Sequence, residues 1–345
     1  MQRRLYRLKA GNLGNLRLVS EELPPPGPGE VTVEVKAIGL NFADVSVIHG
    51  LYSATPKGEF TPGLEYAGVV LQCGSGVGNC KPGDRVMGIT RFGAYATHLN
   101  IGSQYVVPLP DDWTFEEGAS WLVQVLTAYY ALVPLGNLQP GYTVLIHSAA
   151  GGVGILANRI ARKLGAVTIG TVGSPAKLEL LRQEGVNYPL LRDAQFFKNL
   201  DQILKERPLN LILETHGGKM FREDFRRLAP EGRSVIYSAA DFVTPGNRPN
   251  YLKVIWKFIT RPKVDPLDLT NSNKGVLGFN LIYLYEKSQL LHQYVAEIKA
   301  LDIGKPRVGH VLGFEALPQA VRLLQSGKTT GKVVVVPEPE KQASK

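Results

Sequence analysis

The sequence predicts an α/β protein built on a doubly wound parallel sheet, preceded by a β-rich region. Three observations carry this. Buried-strand runs alternate with helical patterns from Tyr142 to Ala239, as a parallel sheet covered on both faces requires. The stretch "LIHSAAGGVGILANRI", Leu145 to Ile160, joins an apolar strand to a helix through three glycines. The first third instead alternates apolar and polar residues with period two, as in "VTVEVKAI", which marks half-buried strands.

In chain order, "PPPGPGE" reads as a rigid lead-in, and "VTVEVKAI", "EYAGVVLQ", "DRVMGI" and "AYATHLNI" as short strands parted by turns such as "CGSGVGNCKPGD". At Thr114 the pattern turns helical. Thr114 followed three residues later by Glu117 is a capping box, and "TFEEGASWLVQVLTAYYALV" continues as one or two helices. "YTVLIH" is then a strand, and "GGVGILANRIARKLG" a helix ending at Gly165. "AVTIGTV" is a strand, and "SPAKLELLRQEG" a helix with Ser174 at its N-cap, Pro175 next and Gly185 past its end. "LNLILET" and "GRSVIYSA" are two more buried strands. The segment Asp241 to Asn280 breaks this rhythm. "LGFNLIYL", a helix around "SQLLHQYVAEIKAL", the strand "GKVVVVP" and the polar tail "PEPEKQASK" follow.

Length and composition bound the function. The chain has 345 residues, enough for two domains, with 44% hydrophobic and 20% charged residues. The N-terminus lacks an apolar signal core, and no apolar run approaches a membrane span of ~20 residues, so a soluble, cytoplasmic protein is expected. Two cysteines, Cys73 and Cys80, rule out a disulfide framework and fit a reducing compartment. The net charge of +9 suits anionic partners, but no RNA-binding module is present and specific nucleic-acid binding is not expected.

A strand feeding a helix through glycines offers backbone N–H groups and the positive helix end to a phosphate. Ala149, Gly151 and Gly154 follow the G-x-G-x-x-G dinucleotide fingerprint with alanine in first place. Ala150, Gly151, Gly152, Val153 and Gly154 are thus the expected phosphate turn. An NAD site normally places an acid about 20 residues on. Here "TVGSPAK" has none: Gly173 and Ser174 leave room for a 2′-phosphate, and Lys177 supplies charge. The expected cofactor is NADPH.

The pieces "NFADV…GLY", "TPGLEYAGVV", "GDRVM", "LTAYYAL" and "AAGGVG" together resemble the medium-chain dehydrogenase/reductase superfamily, in its zinc-independent quinone oxidoreductase branch. "NLQPG", "LGFNLIYL" and "GKVVVVPEPEK" are similar to vesicle amine transport protein homologues within that branch. "LTAYYALVPLGNLQPGYTVLIHSAAGGVG" also resembles enoyl-reductase domains of polyketide synthases. The resemblance implies a β-rich, GroES-like catalytic domain beside a Rossmann domain, the active site in the cleft, and a homodimer. The expected boundaries are 1–122 for the first part of the catalytic domain, 123–275 for the Rossmann domain, and 276–345 for a segment returning to the catalytic domain. Tyr142, Arg159 and Ser46 depart from the branch's usual residues, and Ser46, where a tyrosine is often found, leaves quinone preference open.

Metal-dependent members take catalytic ligands where this sequence reads Asn41, Leu64 and about Val123, none a zinc donor. The six histidines show no ligand spacing, and no metal site is expected. Without a Lewis acid, hydride addition to an activated C=C or a quinone is easier than alcohol–ketone exchange. The resemblance implies Asn41 at the nicotinamide ribose and substrate oxygen, Tyr52 as hydrogen-bond or proton donor, and Thr127 under the nicotinamide. It also implies Tyr188 near the adenosine phosphate, Ser238, Phe279 and Asn280 in loops flanking the cofactor, and Lys332 near the nicotinamide end. Plainer roles remain open: a turn asparagine, a rim tyrosine, a packed helix threonine, an exposed strand lysine. Asp44 reads as a structural acceptor.

The expected activity is thus NADPH-dependent reduction of a small enone, enal or quinone. One alternative is a reductase of carrier-linked enoyl-thioesters. Another is an NADPH-binding protein with a membrane role, carried by "YLKVIWKFITRPK", whose aromatic and aliphatic residues interleave with Lys253, Lys257, Arg261 and Lys263. A substrate lid or dimer contact is the favoured reading of that segment, ahead of peripheral membrane contact.

Overall fold

The structure, a computed structural model, describes residues 1–337; the polar tail from 338 on, with the end of the 276–345 segment, lies outside the described residues. The chain divides into two units. The first comprises Met1–Val123, Pro245–Pro249 and the chain from Lys305; the second comprises Gln124–Thr244 and Asn250–Gly304.

The first unit is β-rich, as the period-two pattern predicts. Its larger sheet orders Val308–Gly313, Lys332–Val336, Glu30–Leu40, Glu65–Cys73, Arg85–Ile89 and Val106–Pro108, with His98–Gly102 also paired to Glu30–Leu40. A smaller sheet joins Arg17–Glu22, Gln2–Lys9 and Glu59–Phe60. Register decides what the large sheet presents. Val333 lies opposite Leu40, and Gly39 opposite Glu65. Asn41, Glu65 and Lys332 therefore meet at one end of three adjacent strands. The Thr114 capping box forms: the Thr114 hydroxyl accepts from the Glu117 amide at 3.2 Å, and the Glu117 carboxylate from the Thr114 amide at 2.8 Å.

The second unit is the doubly wound sheet. All six strands are parallel, in the order Tyr188–Leu191, Val167–Val172, Thr143–Ile146, Leu209–Glu214, Leu228–Ile236, Gly275–Gly278. Numbered along the chain this is 3-2-1-4-5-6, the dinucleotide-binding order whose switch point falls between the first and fourth strands. Leu145, Ile169, Leu209 and Ile212 of the sheet pack with Phe196 and Leu200 of the helix Phe196–Leu204. The stretch Phe115–Leu135 is long and apolar enough to cross a membrane, but 72% of its apolar window is buried inside the protein, as for a core helix.

The unit boundaries differ from those expected at the later end and in the short segment Pro245–Pro249, which groups with the first unit. The first falls at Val123 rather than 122, but 276–304 stays with the parallel sheet and the return to the first unit begins at Lys305. Gly275–Gly278 pairs with Leu228–Ile236 as the sixth strand, and Tyr294 and Glu297 of the helix Ser288–Ala300 hold Tyr129. The short run "GVLG" falls in the segment Asp241 to Asn280, to which the sequence reading assigns no strand.

The large sheet depends on one close approach. A Cβ added at Gly39 would stand 1.8 Å from the Ala119 carbonyl oxygen and 2.8 Å from a Glu65 carboxylate oxygen, inside any contact distance. Gly39→Ala must push backbone apart, at a cost of about 3 kcal/mol or more. Urea denaturation should show that loss as a lowered midpoint; a wild-type midpoint would mean the two segments separate freely.

Candidate functional site

In a doubly wound sheet, ligand-binding groups come from the carboxyl ends of the strands. The first such end carries the glycine turn. Ser148 takes a left-handed conformation (φ 52°), and its carbonyl accepts from the Gly151 amide at 2.9 Å. Gly151 is the N-cap of the helix Gly152–Lys163 and offers no capping side chain. The amides of that first turn are left to a ligand. Gly154 is required by packing: a Cβ there would lie 2.5 Å from the Ser148 carbonyl oxygen and 2.6 Å from the Ala149 Cα.

The next strand, Val167–Val172, delivers Gly173, Ser174 and Lys177. Gly173 is exposed, Ser174 and Lys177 are half-buried, and Ser174 caps the short turn Pro175–Lys177. A residue the sequence reading missed joins them. Arg192 follows the strand Tyr188–Leu191, its amide bonds to the Val172 carbonyl at 2.8 Å, and its guanidinium lies 3.1 Å from where a Gly173 Cβ would be. Burial, and then the Arg192 charge, hold the Lys177 ammonium below its usual range. Two cations are thus kept close beside an exposed glycine, a charge arrangement of the kind that suits an anion. Arg192 also contacts the His216 ring, and burial with Arg192 holds that imidazole down to about 3, so it stays neutral. The sequence reading assigns no strand to Tyr188–Leu191, so the carboxyl end that delivers Arg192 is not in view there.

Other expected residues share this edge. Ser238 follows the fifth strand, half-buried. Phe279 and Asn280 follow the sixth. The Phe279 ring meets Tyr130 edge-on at 5.0 Å, and Asn280 caps the turn Leu281–Leu284. Thr127 is buried in the helix Leu122–Tyr130. Tyr188 is placed differently. It begins its strand, paired with Ile169, packs on the sheet core and lies under the Arg207 guanidinium. The structure does not bring Tyr188 to the group around Gly173; Arg192 holds that place.

The first unit gathers a second cluster. Lys332 is not an exposed strand lysine: it is 4% exposed and donates to Asn41 Oδ1 at 2.9 Å and to Glu65 Oε1. Glu65 Oε2 accepts the Val123 amide at 3.0 Å, and the Asn41 side-chain amide donates to Glu65 Oε1 at 3.3 Å. Burial lowers the Lys332 ammonium from its usual range, opposed by Glu65. Asp44 accepts the Asn41 backbone amide at 2.7 Å, the structural role expected of it. Tyr52 is half-buried in the loop after the helix Phe42–Ile48. Glu65 was not singled out from sequence, because its partner stands 267 positions away.

Comparison with known proteins agrees with both halves. The family model for the alcohol dehydrogenase GroES-like domain matches residues 27–111, and that for zinc-binding dehydrogenase matches 183–335. The synaptic vesicle membrane protein VAT-1 homolog of Mus musculus is 38% identical over 324 residues, covering 92% of this chain and 79% of that protein. The chain belongs to the medium-chain dehydrogenase/reductase family. Among solved structures, Escherichia coli quinone oxidoreductase complexed with NADPH superposes with a TM-score of 0.84 at 27% identity, covering 97% of this chain and 100% of that one. The CurK enoyl reductase superposes with a TM-score of 0.83 at 26% identity, covering 98% and 100%. The donors needed for this family's catalytic zinc are not here: Asn41, Leu64 and Val123 offer an amide and two hydrocarbons, and Cys73 and Cys80 are the only thiols.

Asp44 gives a testable consequence. Burial, opposed by the Asn41 amide and the Lys332 charge, pushes its carboxyl up to about 7. An unfolded aspartate titrates near 3.9, roughly. The folded state therefore holds this proton more tightly, and stability falls as pH rises from about 4 to about 7. Asp44→Asn should flatten that decline by several degrees in thermal melts taken between about pH 4 and pH 8. An unchanged slope would show that another group sets it.

Proposed function

We propose that this medium-chain dehydrogenase/reductase is an NADPH-dependent reductase of an activated C=C (an enone or enal) or of a quinone, working without a metal at the reacting oxygen. The observation that carries it is the pairing of a packed phosphate turn with a cationic 2′-subsite. The turn Ala150, Gly151, Gly152, Val153 and Gly154 presents its amides to the pyrophosphate. Ser174, Lys177 and Arg192 take the 2′-phosphate, where an NAD site would place a carboxylate. Ser238, Phe279 and Asn280 flank the dinucleotide, and Thr127 lies beneath the nicotinamide.

The bound nicotinamide supplies hydride. The protein's part is to hold the negative charge that collects on the acceptor's oxygen. Asn41 is set for this: its Oδ1 accepts from Lys332, and its backbone N–H donates to the Asp44 carboxylate, which fixes it in place. Lys332 holds Asn41 and carries the compensating charge from within, tethered by Glu65. Tyr52, which bears a phenol in a loop, delivers the proton to the enolate or quinol oxygen. None of these groups polarises an unactivated ketone as zinc would. The metal-free donor set thus favours acceptors whose charge delocalises.

A second reading rests on its own observation. In the helix Tyr251–Ile259, Leu252 is 83% exposed and Trp256 67%, with Ile255, Phe258 and Ile259 also exposed beside Lys253 and Lys257. Such a face suits an anionic bilayer. Co-sedimentation with anionic vesicles, lost when Lys253, Lys257, Arg261 and Lys263 are neutralised, would support it. Unaltered sedimentation with neutral and anionic lipid alike would dismiss it.

An NADPH-oxidation screen over quinones, 2-alkenals, enones and enoyl-thioesters tests the main reading. Free enones or quinones should turn over, and turnover of thioesters alone would move the assignment to carrier-linked chemistry. Lys177→Ala and Arg192→Ala should each raise the KM for NADPH about 10- to 100-fold, the worth of one charge-assisted bond, and leave NADH nearly unchanged. Equal losses with both nucleotides would remove the 2′-phosphate assignment.

A further inference from the structure

At the switch point of the parallel sheet, three ionisable side chains that the hydride chemistry does not use converge. His147 follows the strand Thr143–Ile146, Glu214 ends the strand Leu209–Glu214, and Asp224 comes from the helix Gly218–Arg227. Each is 0% exposed. His147 Nε2 lies 2.8 Å from Asp224 Oδ2 and 3.8 Å from Glu214 Oε2, and the three potential donor atoms lie within 4.8 Å of one another.

The arrangement leaves buried polar atoms unsatisfied. Two carboxylates and one imidazole are sealed from water, and among the described residues neither carboxylate is paired with a lysine or arginine. Glu214 Oε2 and Asp224 Oδ1 are buried without any hydrogen-bond partner. A buried polar atom left without a partner costs about 1–3 kcal/mol. A divalent cation would give the two bare carboxyl oxygens a partner, and its charge matches that of two carboxylates.

The outer partners of a metal site are also in place. A ligating histidine fixes its ring by donating the other N–H to an oxygen, and ligating carboxylates are themselves hydrogen-bonded. His147 Nδ1 lies 3.0 Å from the Thr171 hydroxyl. Glu214 Oε1 accepts the His216 amide at 2.6 Å and the Gly217 amide at 2.9 Å, which leaves Oε2 facing His147. His216 is not among the residues whose donor atoms converge here, and its Nε2 is taken by Arg192.

We propose that His147, Glu214 and Asp224 form a buried structural site for a divalent first-row metal ion, zinc in the first instance. One nitrogen and two carboxylate oxygens are a donor set for zinc, manganese or iron(II). The ion takes the place of the proton between Nε2 and Asp224, and Nδ1–H then donates to Thr171. It pins two central strands to a helix beside the phosphate turn. This site is separate from the family's catalytic zinc, whose ligand positions lie in the first unit.

The test uses the full chain, purified without chelator or nickel and assayed by inductively coupled plasma mass spectrometry. About one equivalent of zinc, manganese or iron per chain is expected. Stripped protein should gain several degrees in melting temperature on adding zinc. Glu214→Gln and Asp224→Asn, which keep side-chain shape, should lower zinc affinity about tenfold or more and weaken that response. X-ray absorption of the wild type should show only nitrogen and oxygen neighbours, so the test survives if the variants do not fold. A folded wild type with no stoichiometric metal and no melting response to zinc, manganese or iron(II) would overturn the proposal. So would sulfur in the first shell, or metal retained undiminished by both folded variants. NADPH affinity, read on the same samples, is independent of these outcomes.

Discussion

The second unit depends on a contact between two stretches of bare backbone. The carbonyl of Ser148 and the α-carbon of Ala149 lie so close to Gly154 that no side chain fits. That approach sets the helix Gly152–Lys163 against the Thr143–Ile146 strand. With the helix so placed, its unpaired amides face outward at the carboxyl edge of the sheet. Everything assigned to the nucleotide then follows from strand order. Parallel strands end on the same side, so the loops after each of them collect around one ligand. A side chain at Gly154 would disturb the angle of the helix as well as the turn, and with it the direction of its dipole.

The first unit solves a different problem, how to keep charge inside a β-sheet. An ammonium and a carboxylate lie at the end of three strands, held by an amide on one side and a backbone N–H on the other. A buried pair of this kind is poor evidence of stability, since desolvation offsets the attraction. Its value is geometric. Asn41 is fixed at its backbone by Asp44 and at its side chain by Lys332, so its amide cannot turn freely. The same logic appears at the His147 cluster, where buried Glu214 is bound to the His216 and Gly217 backbone amides. In both units, a buried glutamate placed at a strand end, Glu65 in one and Glu214 in the other, is tied to the main chain there.

Most of the fold was legible because its signals are local. The capping box at Thr114, the glycine turn at Gly151 and Gly154, and the alternation of strands and helices each lie within a few residues. Lys177 was legible for the same reason, as part of the "TVGSPAK" loop. What could not be read depends on register between distant strands. Arg192 reaches Gly173 only because Tyr188–Leu191 pairs parallel to Val167–Val172. Tyr188 goes to the core for that same register, although its residue type suited the nucleotide. Glu65 with Lys332, and His147 with Asp224, are juxtaposed across separations that no sequence spacing encodes. The sixth strand was missed because "GVLG" is four residues long and takes its conformation from its neighbour.

The order in which the chain supplies the large sheet has a consequence for biogenesis. Its Glu30–Leu40 strand is made early, but the strand beside it, Lys332–Val336, is among the last described residues to be synthesised. Until that piece emerges, Glu65 has no ammonium beside it, and the Ile38–Leu40 end of the strand lacks the neighbour that completes it. The second unit lies wholly between these pieces and contains all of its own strands. It can therefore condense on the ribosome while the first waits, and a nascent chain arrested shortly before Lys332 would display a finished nucleotide fold next to an open sheet edge that chaperones would recognise.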